Sequence, residues 1–163
     1  MTLERQESMS NTDLTVLFVC TGNTCRSSMA EQLFNLKAKD LSAHAFSAGL
    51  DAKPGSSMSP QAAEAMAALG YNSTAHSSTL LSVEAVEEAD VILTFTQGQK
   101  IELGERFPAV IEKVFTISEY ANRGSGTSVD VSDPYGRSAE VYKETAETID
   151  FLVELIVSSI KAG

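Results

Sequence analysis

From Leu14 to Cys20 the chain is apolar at every position but Thr15 and rich in β-forming side chains. With Asp13 before it and Gly22 and Asn23 after, this run predicts a strand buried on both faces. Between Ser27 and Lys39 the apolar positions Met29, Ala30, Leu33, Phe34 and Leu36 fall close to a 3.6-residue period and predict a helix. A short strand is expected over Ala43 to Ser47, then a loop rich in Gly, Pro and Ser from Gly49 to Ser59. Ser59 followed by Pro60 is a helix start, with an N-cap and a proline in the first turn, and Gly70 is its stop. Further on, the pattern predicts a short helix over Glu84 to Ala89 and a strand over Val91 to Phe95. Next come a helix over Gln97 to Phe107 and a fourth strand over Lys113 to Ile117. Tyr120 to Gly136 reads as a loop. Ser138 to Ile160 closes the chain as a long helix with Tyr142, Ile149, Leu152, Leu155 and Ile156 on its apolar face.

Strands separated by helices of this length require crossover connections, hence a parallel sheet covered on both faces. The expectation is a single α/β domain over residues 14–163, preceded by a flexible polar tail from Met1 to Asp13. The chain has 163 residues, 43% of them hydrophobic and 21% charged, enough to build a core without a metal or disulfide staple. Twelve Lys and Arg against 22 Asp and Glu give a net charge of −10. Such a surface repels a phosphate backbone, which argues against a general nucleic-acid binder, although a local site can still override the global field. No apolar run approaches the roughly 18 residues of a membrane span and no secretory signal is present, so a cytoplasmic location is expected.

The only cysteines are Cys20 and Cys25, and the only histidines His44 and His76, a poor set for zinc. No metal and no cofactor are expected. In a reducing compartment a close pair of this kind points to catalysis or redox chemistry. The alternative is two small apolar residues in the core.

Residues Cys20, Thr21, Gly22, Asn23, Thr24, Cys25, Arg26 and Ser27 join the first strand to the first helix. At the C-terminal edge of a parallel sheet this is where ligands bind. A tight loop of this kind turns backbone N–H groups inward and ends on a helix N-terminus, a cradle for a dianionic phosphate. Arg26 adds a guanidinium fork that matches phosphate oxygens. Cys20 stands in the same positive field, which favours its thiolate, and a thiolate facing phosphorus is a nucleophile. The loop is not a nucleotide-binding P-loop, because no Gly-Lys-Ser/Thr follows at the required spacing.

Cys20 to Ser27 resembles the signature of the low-molecular-weight protein phosphatases, and Asp133, Pro134, Tyr135 and Gly136 are similar to that family's acid loop. With Ser47-Ala48-Gly49 and Ala89-Asp90 between them, the resemblance covers nearly everything past residue 14. It implies a four-stranded parallel sheet with helices on both faces. It also implies Cys20 as nucleophile, Arg26 as phosphate clamp and Asp133 as general acid, with residues 21–26 binding the phosphate. Asn23 would hold the loop in a strained conformation, Ser27 would hydrogen-bond the Cys20 thiolate, and Ser47 with His76 would support Asn23. Ser28 departs from the pattern, since many members have proline there. From its residues alone Asp133 also reads as a turn former before proline. His44 and the acidic group Glu84, Glu87, Glu88 and Asp90 read as solvated surface.

Thr24 bears on the substrate. Tyrosine-directed members usually carry an aliphatic residue at this place, whereas Thr24 resembles the protein arginine phosphatases. An aliphatic side chain packs on a phenyl ring. Threonine removes bulk and offers a hydroxyl to a guanidinium, with Asp133 to pair with it and Tyr135 to stack on it. The expected activity is hydrolysis of phosphorylated protein side chains through a phosphocysteine, with phosphoarginine as substrate and inorganic phosphate as product. The alternative is phosphotyrosine. A thiol-coupled arsenate reductase would need two more cysteines, and a non-catalytic phosphate-binding module would not need nucleophile, clamp and acid together. Cys20 and Cys25 also form a candidate redox pair.

Overall fold

The computed structural model describes residues 14–123 and 128–163. The tail expected over Met1 to Asp13, and residues 124–127 of the loop expected over Tyr120 to Gly136, lie outside the described residues. Four strands, β1 (Leu14–Cys20), β2 (Ala43–Gly49), β3 (Val91–Thr94) and β4 (Val114–Thr116), form one parallel sheet in the order β2-β1-β3-β4. The helices are α1 (Arg26–Lys37), α2 (Pro60–Ala68), α3 (Val83–Glu88), α4 (Gln97–Arg106), α5 (Ile117–Asn122) and α6 (Ala139–Ala162).

Strand β1 is buried because both faces of the sheet are covered. Its Val16, Phe18 and Cys20 join Met29, Leu33 and Phe34 of α1, Met66 of α2 and Ile149 and Val153 of α6 in one core. Leu17 and Val19 point the other way, toward Val86 of α3 and Leu103 of α4. Beneath the phosphate-type loop, Phe18 meets Phe34 edge-on at 6.1 Å and lies 6.2 Å from Phe95. Each fully buried aromatic of this kind stabilises the fold by roughly 1.5–3 kcal/mol, so the floor of the site rests on a fully buried aromatic group.

Because β1 is central, the chain leaves it toward β2 on one side and continues through β3 to β4 on the other. The loops after β1 and β3 therefore diverge, and the crevice they leave at the C-terminal edge is the topological switch point of the sheet.

Several boundaries differ from the sequence expectation by one to a few residues. The first helix is α1, starting at Arg26 and ending at Lys37. The second strand runs on to Gly49 in register with Cys20. The fourth strand stops at Thr116, because Thr116 and Glu119 form a reciprocal capping box that starts α5 at Ile117, and α5 runs on into the loop expected from Tyr120. A 3-10 turn over Pro108–Lys113 also precedes β4. Asp90, expected on a solvated face, is exposed but its carboxylate accepts the Thr15 N–H at 2.8 Å, tying the start of β3 to β1.

Candidate active site

Cys20 ends β1, and the five residues after it wrap its sulfur before α1 begins. Cys20 Sγ is 2.9 Å from Ser27 Oγ and accepts the Asn23 N–H at 3.3 Å, so a hydroxyl and a backbone N–H converge on one buried sulfur. Asn23 is fully buried with φ +58°, a left-handed conformation that asparagine tolerates better than most residues. Its side chain is fully used: Nδ2 donates to Ser27 Oγ at 2.8 Å and to Ser47 Oγ at 2.9 Å, and Oδ1 accepts the Thr79 N–H at 2.8 Å. Its carbonyl accepts from His76 Nε2 at 2.7 Å, which fixes that nitrogen as the protonated one.

The end of β2 supports the same loop from below. Leu50 and Asp51 donate backbone N–H groups to the Cys20 and Thr21 carbonyls, each at 2.9 Å. A Cβ on Gly49 would stand 2.6 Å from the Thr21 carbonyl oxygen and 3.0 Å from the Asn23 nitrogen, so glycine is what lets the loop sit this close. Ser59, which caps α2, donates its N–H to the Thr24 carbonyl at 2.9 Å.

Arg26, the first residue of α1, is 4% exposed. Its Nη1 donates to the Val131 carbonyl at 2.9 Å, and its Nη2 is 3.7 Å from Asp133 Oδ2. Val131 in turn donates its N–H to the Phe95 carbonyl at 2.8 Å, beyond the end of β3. The segment carrying Asp133 is thus pinned to the sheet edge on one side and to the guanidinium on the other. Asp133 is 53% exposed on its side chain, and its Oδ1 accepts the Tyr135 N–H at 3.0 Å, the turn geometry its sequence suggested. Tyr135 is 83% exposed.

Residues 20–26, Asp133 and Tyr135 line one cleft of about 600 Å³, together with Ser59, Gln61, Gly136, Arg137 and Tyr142. Ser27, Ser47 and His76 stand behind the loop. Burial, and then the neighbouring Cys20, push the Cys25 thiol up to about 12, so Cys25 faces the cleft as a neutral thiol. Burial, then Cys25, Asp133 and Tyr135, raise the Tyr142 phenol. A cysteine sulfur, a tight backbone loop, a guanidinium and a carboxyl share this space, a set able to support displacement at phosphorus with protonation of the leaving group. Among the described residues no three His, Cys, Asp or Glu side chains cluster as a metal site, and no helix is long and apolar enough to cross a membrane.

Three participants escaped the sequence reading. Tyr142 was legible only as part of an apolar helix face. Gln99 accepts the Phe95 and Thr96 N–H groups at 2.9 and 3.2 Å and donates to Thr21 Oγ1 at 3.3 Å; the Thr96-x-x-Gln99 capping box was a readable signal for it. Glu31, on the second turn of α1, accepts a hydrogen bond from Ser47 Oγ.

The family model described as low molecular weight phosphotyrosine protein phosphatase matches residues 15–163. A protein-arginine-phosphatase of Bacillus subtilis is 37% identical over 148 residues, 90% of this chain and 96% of that protein. Two solved structures match closely. One is a YwlE arginine phosphatase mutant with a phosphorylated active-site serine in place of cysteine, with TM-score 0.84, 36% identity and 90% and 95% of the two chains covered. The other is a low molecular weight protein tyrosine phosphatase from T. tengcongensis, with TM-score 0.83, 39% identity and 90% and 99% covered.

Proposed function

The chain belongs to the low molecular weight phosphotyrosine protein phosphatase family, and we propose that Cys20 carries its hydrolysis of phosphorylated protein side chains, with phosphoarginine as the substrate. The observation that carries this is the convergence of Ser27 Oγ and the Asn23 N–H on Cys20 Sγ, with Arg26 and Asp133 over the same cleft. Cys20 attacks phosphorus as a thiolate. Its new S–P bond replaces the P–N bond of phosphoarginine, and Asp133 gives the departing guanidine its proton. Water then attacks the phosphocysteine, Asp133 now takes a proton from it, and inorganic phosphate leaves with the thiolate restored. Arg26 keeps one nitrogen on the Val131 carbonyl, and its remaining donors serve the phosphate oxygens through both steps.

The preference for phosphoarginine rests on Thr24 in the cleft wall and on the arginine phosphatases among the relatives. The related tyrosine phosphatase keeps phosphotyrosine as the second reading. The two free thiols fit a reducing, cytoplasmic setting. Peroxide would convert Cys20 to a sulfenic acid with loss of water, and attack by Cys25 would release a second water and close a disulfide.

Acid-quenching the enzyme during turnover and mapping the phosphate by mass spectrometry tests the chemistry. We expect phosphate on the Cys20 peptide and no turnover in Cys20→Ser. Full activity in that variant overturns the proposal.

A further inference from the structure

We propose that Glu31 is a positioning residue for the reaction: it fixes the direction of a buried hydrogen-bond relay, through Ser47 and Asn23, that makes Ser27 a donor to Cys20 Sγ. The inference rests on the reading of Cys20 as the nucleophile.

Proton counting sets each direction. The Thr79 N–H is bound to Asn23 Oδ1, so the amide cannot flip and its two Nδ2 hydrogens must face Ser27 and Ser47. Each serine hydroxyl then accepts from Asn23 and has one proton left to place. Ser47 gives its proton to the Glu31 carboxylate, which can only accept. Ser27 gives its own to Cys20 Sγ. The relay therefore runs from one central amide outward to two acceptors, a carboxylate and a thiolate. Remove the acceptor at the Glu31 end and the Ser47 proton is free to turn toward Asn23, where it meets another donor. The amide then loses one of the contacts that hold it against Ser27, and the bond into the sulfur weakens.

Glu31 does not line the cleft, and its hydrogen bond into the loop's support goes to Ser47. With Ser47 and His76 it lines a separate pocket of about 250 Å³ behind the loop. The titratable groups facing the cleft beside Cys20 are Cys25 and Arg26 from the start of α1, Asp133, Tyr135 and Arg137 from the acid segment, and Tyr142 from α6. Glu31 on α1 and His76 before Thr79 act from behind. None of the cleft groups is altered when Glu31 or Ser47 is replaced.

A double-mutant cycle on the full chain tests the relay with an aryl phosphate as substrate. In the wild-type background Glu31→Leu is expected to lower kcat/KM roughly tenfold, the worth of a weakened hydrogen bond to a charged group. Thiolate absorbance should titrate about one pH unit higher in that variant, since one unit corresponds to the same factor. In a Ser47→Ala background, where the relay is already cut, the same change should cost about twofold at most. Glu31→Gln, which keeps an acceptor oxygen, should recover most of the loss. Glu31→Ala replaces the leucine variant if that one fails to fold. Equal losses in both backgrounds, or an unmoved thiolate titration, overturn the relay while active wild-type enzyme leaves the phosphatase reading intact. An inactive wild type bears on that reading instead.

Discussion

Arg26 Nη2 and Asp133 Oδ2 face each other 3.7 Å apart across the cleft, the guanidinium nearly buried and the carboxylate half exposed. In the proposed reaction this contact sets the acid, Asp133, beside the phosphate clamp, Arg26. Replacing Asp133 with Asn keeps the shape but removes the proton donor. We expect a rate loss of roughly 10²–10⁴-fold for a poor leaving group and a much smaller one for an activated aryl phosphate. The wild-type rate should be bell-shaped in pH, and its acid-side and base-side limbs should report coupled groups rather than single residues. Unchanged kcat on every substrate would return Asp133 to the role of a turn residue.

Thr24 is the residue whose exchange should move specificity. Thr24→Ile adds bulk and removes a hydroxyl in the cleft wall. The phosphotyrosine to phosphoarginine ratio of kcat/KM should rise by about tenfold or more. A constant ratio would place selectivity elsewhere in the cleft.

Gly49 is expected to be intolerant of even one methyl group. Its Cβ would stand 2.6 Å from the Thr21 carbonyl, 2.9 Å from Ala52 Cβ and 3.0 Å from the Asn23 nitrogen, and two of these are backbone that cannot swing aside. Gly49→Ala should destabilise the fold by roughly 1–3 kcal/mol and weaken inorganic phosphate binding. Denaturant unfolding and phosphate titration read the two effects separately.

These residues also show what could be seen in advance. Strand β1, the loop after it and the Asp133 turn were legible because each is a local pattern: an apolar run, a fixed spacing, an Asp before Pro. Helix α5 is only six residues long, too short for a period, and its one signal was the Thr116-x-x-Glu119 cap. Glu31 left no signal at all. On α1 it reads as an ordinary polar position, and only the packing of α1 beside β2 sets it against Ser47, 16 residues away. Asp90 is exposed as expected, but its bond to the Thr15 N–H left no signal for the same reason, since the two are 75 residues apart.

Cys25 gives a pH-dependent prediction. Its folded thiol titrates near 12, against an ordinary value of 9.0, chiefly because burial disfavours the thiolate. The folded state therefore holds a proton that the unfolded chain loses above about pH 9, so this contribution is intact below that pH and fades as pH rises toward 12. Stability of Cys25→Ala should fall less steeply than wild type over that window. At pH 8, iodoacetamide should alkylate Cys25 much more slowly than an unperturbed thiol, because Cys25 stays protonated there. Labelling of Cys25 at the rate of a free thiol would contradict its raised titration.

The most direct measurement compares one peptide carrying either phosphoarginine or phosphotyrosine at the same position, with kcat/KM determined for both under identical conditions. We expect the phosphoarginine peptide to be favoured by about tenfold or more, with turnover of both abolished in Cys20→Ser. A higher kcat/KM for the phosphotyrosine peptide would contradict the assignment of phosphoarginine as substrate.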